Sequence, residues 1–234
     1  MACLHGAIVA AIGRAIGRAT DRGDLYSIVL MELVDADYRF IYVDVGAEGR
    51  MSDGGVYAHC TLSDAMEKNC LNIPPPEPLA SGWGHPIPYY AVCDDAFPLR
   101  PHLMKPYSRR GLTDGERICN YRLSRARRVV ENAFGILAAV FRVLHTPILL
   151  QPHKAEQVVL AVCTLHNFLR KNCRNAYLNP FLDRDQTMSE HLTGMQSSKH
   201  KNASSTAKRI RDVLQEYFVT DGKVTWQETH KDDF

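Results

Sequence analysis

Apolar and polar positions alternate most clearly near the start of the chain. Tyr26–Val34 and Tyr38–Val45 are rich in β-branched and aromatic residues and flank the turn-prone Asp35-Ala36-Asp37, which predicts a β-hairpin. Gly46-Ala47-Glu48-Gly49 ends the second strand, and Ser52-Asp53-Gly54-Gly55 offers an N-cap for a helix of about 15 residues. Prolines and turn residues across 72–88 predict a surface loop, followed by a short strand, Tyr89–Cys93, that ends on Asp94-Asp95. Pro98 permits a short helix through Met104, and 108–115 reads as a polar basic loop.

A long helix is predicted from Asn120 to Val143, with Val130, Phe134, Leu137 and Phe141 at helical spacing. Pro147–Leu150 is extended and Lys154–Lys171 is an apolar helix. Residues 173–203 form a polar linker, and Ser205–Phe218 is a last helix with Ile210, Val213, Leu214 and Tyr217 on one face. Strands followed by helices predict an α/β layer architecture. The expected organisation is an atypical segment over 1–24, a domain over 25–172, the linker, and a C-terminal helix and tail over 204–234.

Residues 1–20 place Leu4, Ile8, Ile12 and Ile16 four apart and carry Arg14 and Arg18 with no acid, a transit-peptide-like pattern. Gly6, Gly13 and Gly17 weaken it as a helix, and serine is absent. No apolar run is long enough to predict a transmembrane helix, so no membrane partner is expected.

Composition changes this picture little: at 45% hydrophobic and 23% charged, the chain is neither collagen-like, disordered nor a disulfide scaffold. The distribution of charge changes it more. Nine of the 28 Lys/Arg, but only two of the 26 Asp/Glu, fall between Arg100 and Arg128, so a net charge of +2 conceals a basic band on a mildly acidic body. The seven cysteines are scattered and form no C-x-x-C pair, which reads as reduced, mostly buried thiols. Cys163 and His166 form a C-x-x-H step, but no second ligand pair follows at zinc spacing, so core packing is the expectation there.

Strings for P-loop, dinucleotide, zincin and hydrolase-elbow chemistry are absent, and no small-molecule cofactor is expected. The candidate chemistry is carboxylate. Asp94 follows a buried-looking strand, Glu131 lies on the long helix with Arg127 and Arg128 one turn before it, and Asp53 sits at a strand-to-helix turn. Hard cations such as Mg²⁺ or Mn²⁺ take several oxygen ligands, and a neighbouring arginine band would meet a DNA backbone. Spacing alone leaves the ordinary alternatives open: a turn cap at Asp94 and a surface ion pair at Glu131.

Several strings occur together in order: Tyr26-Ser-Ile-Val-Leu-Met31, Val43-Asp-Val-Gly-Ala-Glu-Gly-Arg-Met-Ser-Asp-Gly-Gly-Val-Tyr57, Val92-Cys-Asp-Asp-Ala-Phe-Pro-Leu99, the run Asn120–Gly135, and Leu165-His-Asn-Phe168. Over residues 25–172 they resemble the DDE-type endonuclease domain of PIF/Harbinger transposases and their domesticated nuclease relatives. The closing Tyr217-Phe218, Gly222 and Trp226-Gln227 are similar to that family's usual end. The resemblance implies an RNase H-like mixed sheet with flanking helices, and acidic residues that bind Mg²⁺ or Mn²⁺ for DNA strand cleavage. Asp94 and Glu131 match the catalytic acids, with Asp53 as a further metal ligand; Ser52 stands where the family has His. Arg122, Arg125, Arg127 and Arg128 are the implied DNA-binding residues, beside Asn120. Asp95 reads as a helix cap, and Asp44 has no catalytic counterpart.

The departure from the family matters as much. Its first catalytic Asp lies in an Ile-Asp-Gly-x-His string on a central first strand, and nothing similar precedes Tyr26 here, so the N-terminus is expected to be truncated or replaced. Ala7–Ile16 is expected to fill the vacant central place, or pack over it, without supplying the acid. The expected function is therefore a divalent-metal-dependent DNA endonuclease impaired by that loss. The alternative is an inactive transposase remnant that binds DNA or protein. DNA is the expected partner, with a separate DNA-binding protein as a further one, and the nucleus, or else the cytoplasm, is the expected location.

Overall fold

A computed structural model describes residues 11–21, 24–48, 51–80, 83–84, 86–108, 110–182 and 203–229. The predicted hairpin is present as β2 (Asp24–Val34) and β3 (Phe40–Glu48), paired antiparallel. Asp35 closes the connection: its Oδ1 accepts the N–H groups of Asp37 and Arg39, both at 2.9 Å, and its carbonyl accepts that of Tyr38. This is the side-chain turn chemistry that makes aspartate a turn former.

The central place in the sheet is filled. β1 (Ala11–Asp21) pairs antiparallel with β2 from Ala11–Val34 to Asp21–Asp24, and parallel with β6 (Ala91–Val92) through Ala11–Val92. The stretch expected over Ala7–Ile16 thus lies between the two predicted strands from Ala11 onward; residues 7–10 fall outside the described residues. The four-residue spacing of Ile12 and Ile16 makes no helix here. An exposed row of N–H and C=O groups on β2 is a stronger determinant than a weak, glycine-interrupted helical pattern. β7 (Leu103–Met104) joins β6 in parallel and completes the order β3-β2-β1-β6-β7. The helix expected from Pro98 to Met104 is replaced by a turn and this strand.

Both faces of the sheet are covered, as alternation along β2 requires. Val29, Met31 and Leu33 pack with α1 (Asp53–His59) and α2 (Thr61–Glu67). Ile28, Leu30 and Val34 pack with α3 (Asp114–Val140) and α4 (Pro152–Leu182). The single helix expected after Ser52 is two, because Cys60 takes extended backbone angles between them. Within the proline-rich loop, β4 (Glu77–Pro78) and β5 (Pro86–Ile87) form a small second pair. α4 runs to Leu182, so the linker expected from 173 begins inside a helix; residues 183–202 lie outside the described residues. α5 (Ser205–Val219) buries Ala207, Ile210, Leu214 and Phe218 in a cluster shared with α3 and β7.

α3 begins at Asp114, six residues earlier than its apolar spacing indicated. A capping box holds it: Glu116 N–H donates to Thr113 Oγ1 at 3.3 Å, and Thr113 N–H donates to Glu116 Oε2 at 2.8 Å. The signal Thr113-x-x-Glu116 stood in the sequence, inside what read as a basic loop. Thr113→Ala is expected to cost about 1 kcal/mol of stability, measured by urea unfolding. Glu116→Gln, which keeps the reciprocal bond geometry, is expected to cost less.

The cysteine reading holds for the residues described. Cys60, Cys93, Cys119 and Cys163 are buried free thiols, while Cys70 and Cys173 are exposed. His166 is fully buried and packs in the core: Nε2 meets the Tyr38 carbonyl at 2.7 Å and Nδ1 the Tyr177 hydroxyl at 2.9 Å.

Candidate active site

Asp94 stands where β6 ends. Ala91 and Cys93 donate their N–H groups to the carbonyls of His102 and Met104, each at 3.0 Å, which ties this strand to β7. The chain then turns, and Asp94 Oδ1 accepts the Ala96 N–H at 2.9 Å. Asp94 therefore caps its own turn while remaining half-buried at the sheet edge. Asp95, beside it, is exposed and pairs with Lys105 at 3.0 Å.

Glu131 is half-buried on α3 and pairs with Arg127, one turn earlier, at 2.6 Å. Burial pushes the Cys93 thiol up, with Asp94 and Asp95 acting in the same direction and Lys105 and Arg127 opposing them. Arg127 thus lies within electrostatic reach of Cys93, the residue before Asp94. Asp53 opens α1, whose helix packs on the other face of the sheet, and its side chain lies outside the described residues. Asp44 is on β3, where its Oδ2 accepts the Tyr42 hydroxyl at 3.3 Å.

The parallel register extends the row. With Ala11 beside Val92, Gly13 comes level with Asp94 two residues on, and Gly13 is itself opposite Glu32 of β2. The central strand therefore passes Asp94 with Gly13 and Arg14, not with a carboxylate. Among the described residues, no group of three or more His, Cys, Asp or Glu is arranged to hold a metal ion.

The arginine band divides once folded. Arg125 and Arg128 are exposed and Arg127 is half-buried. Arg125 lies over the Trp226 ring at 4.3 Å and donates to the Tyr121 hydroxyl at 3.4 Å. Arg122 turns inward: it is 7% exposed, donates to the Gly222 carbonyl at 3.0 Å and to Gln227 Oε1 at 3.1 Å, and lies over the Phe218 and Trp226 rings. Its place in the implied DNA-binding set is corrected to a tie between α3 and the C-terminal segment. Asn120 is likewise buried, exchanging hydrogen bonds with the Tyr107 backbone at 2.7 and 3.0 Å. Lys105, counted in the basic band but given no role of its own, holds Asp95 through both its carboxylate and its carbonyl.

A family model described as DDE superfamily endonuclease matches residues 21–167, and the chain belongs to that family. The transposase-derived resemblance read from the strings is thereby borne out. The chain is also 27% identical over 146 residues to "Protein ALP1-like" of Arabidopsis thaliana, an alignment covering 62% of this chain and 35% of the relative. It thus spans about a third of the length of that curated relative. No solved structure matches.

Proposed function

We propose that this chain acts on DNA as a metal-dependent endonuclease-type domain with an RNase H-like sheet, in which cleavage is impaired. The match of residues 21–167 to the DDE superfamily endonuclease family carries the reading, with Asp94 at the end of β6 and Glu131, paired with Arg127 on α3, as the candidate acids. The order β3-β2-β1-β6-β7, with β2 antiparallel and β6 parallel to β1, supports the fold. Asp94 and Glu131, with Asp53 as a third, are the residues that would hold Mg²⁺ or Mn²⁺. Such an ion activates an attacking oxygen and stabilises the leaving one.

The two described carboxylates alone fall short of the several oxygen ligands a hard cation takes. Gly13 and Arg14 bring no carboxylate from the central strand, and this supports impairment. Arg127 neutralises Glu131 at rest, while Arg125 and Arg128 present positive charge to a DNA backbone on the exposed side of the same helix. That arrangement also favours the second reading, a catalytically inactive module that binds DNA or a DNA-binding protein. The nucleus is the proposed site of action, with the cytoplasm as the alternative.

The test is nicking of supercoiled plasmid in Mn²⁺ together with the salt dependence of duplex binding. The expected result is nicking close to background, with duplex binding retained. Replacing Arg125, Arg127 and Arg128 together by Ala is expected to lower the salt slope by about two to three. Strong nicking abolished by both Asp94→Ala and Glu131→Ala would overturn the impairment. An unchanged salt slope would remove the arginine face from DNA binding.

A further inference from the structure

A cleft of about 300 Å³ opens next to Asp95, between the turn after β6, the connection from β7 to α3, and α5. Three cations line it: Lys105, Arg110 and Arg211. Its two acids, Asp95 and Glu116, are both engaged. Asp95 is paired with Lys105 at 3.0 Å, and Glu116 Oε2 accepts the N–H and hydroxyl of Thr113 at 2.8 and 3.0 Å.

Arg211 is held in place without an acid. Its guanidinium lies 3.9 Å over the Tyr107 ring, and Nη1 donates to the carbonyl of Pro106 at 3.1 Å and that of Lys105 at 3.5 Å. Its Nε is buried with no hydrogen-bond partner among the described residues. Arg110 is exposed, and no carboxylate pairs with it among the described residues. A fixed, planar guanidinium with an orphaned buried donor, beside a second unpaired guanidinium, is short of an anionic oxygen acceptor. Phosphate supplies several such oxygens at once.

We propose that this cleft is a phosphate-binding subsite that seats a backbone phosphate of the DNA strand running past Asp94. It rests on the DNA-acting reading above and extends it to α5, which lies beyond residues 21–167 of the family match. Asp95 borders the cleft and is joined directly to Asp94, so a strand seated at one would continue to the other. Arg110 and Arg211 would both grip the phosphate, Arg211 from helix α5 and Arg110 from the connection between β7 and α3.

The experiment measures duplex binding by the full chain across a salt series, with inorganic phosphate as a competing arm. Arg110→Ala, which removes an exposed side chain that no carboxylate pairs with among the described residues, is expected to lower the salt slope by about one and to weaken binding equally for unrelated sequences. Arg211→Lys keeps the charge but not the fork, and is expected to weaken binding at fixed salt. Millimolar inorganic phosphate is expected to compete with duplex less well against Arg110→Ala than against wild type. Competition unaltered by Arg110→Ala would show that free phosphate binds elsewhere and would count against the cleft. An unchanged slope in Arg110→Ala overturns the subsite, whatever the nicking assay returns. A lowered slope with no nicking leaves the subsite standing and removes only the nuclease activity.

Discussion

Replacing Glu32 by Met is expected to raise the stability of the folded chain and to flatten its dependence on pH between 4.5 and 8. Glu32 lies in β2 among Ile28, Leu30 and Val34, on the face covered by α3 and α4. It is wholly buried, and neither carboxylate oxygen has a hydrogen-bond partner among the described residues. Burial pushes its carboxyl up to about 8 from an ordinary 4.5; burial also raises the Cys163 thiol, with Glu32 adding in the same direction. In the unfolded chain the group ionises near 4.5, whereas the folded chain keeps it protonated until about 8.

Over that interval the folded state binds the extra proton, so stability is fully present below 4.5 and is lost progressively as pH rises to about 8. The whole loss is roughly 3–5 kcal/mol, a large part of the margin of a typical domain. Met has similar volume, no charge and no unmet hydrogen bond, so the variant keeps the packing and loses the penalty. Urea unfolding across this pH range checks the result. An equally steep pH slope in Glu32→Met would assign the loss to another group.

Arg122→Ala is expected to destabilise the chain by roughly 3 kcal/mol and to expose the C-terminal segment to protease, while leaving the salt slope of DNA binding unchanged. The guanidinium is the hub of a buried network. It binds the Gly222 carbonyl and Gln227 Oε1, and Gln227 passes the link on by donating to the Phe218 carbonyl at 2.8 Å and accepting the Val224 N–H at 3.2 Å. Phe218 and Trp226 cover the cation with their ring faces. Removing it strands the Gly222 carbonyl, opens a cavity and ends two cation–π contacts at once. Thermal unfolding gives the stability, and limited proteolysis after α5 reports the released segment. A fall in salt slope would return Arg122 to the DNA-facing set.

These two residues show where local reading stopped. Glu32 sat in an apolar run that alternation already placed in a strand, so the strand was legible. Its ionisation was not, because that depends on whether any donor from α3 or α4 reaches it. Arg122, Arg125, Arg127 and Arg128 form one basic string in sequence, yet a helix sends successive residues in different directions. Arg122, buried against the C-terminal segment, became structural, Arg127 is half-buried in its pair with Glu131, and Arg125 and Arg128 remain exposed. Thr113 and Glu116 carried a readable start signal for α3 that the surrounding charge obscured. Cys60 split a helix whose apolar content looked continuous.

By itself the sequence determined the β2–β3 hairpin, the strand that ends at Asp94, the existence of α3, α4 and α5, and membership of the DDE family. All of these rest on short-range signals: alternation, helical spacing, turn residues and ordered strings. Only the tertiary structure decided that residues 11–21 form the central strand, since a glycine-rich segment of weak preference takes whichever conformation pairs the open edge of its neighbour. The same holds for the approach of Arg127 on α3 to Cys93 at the end of β6, far apart in the chain. No local pattern encodes that approach; it follows from the packing of α3 against β6, a contact that exists only once the sheet has been assembled.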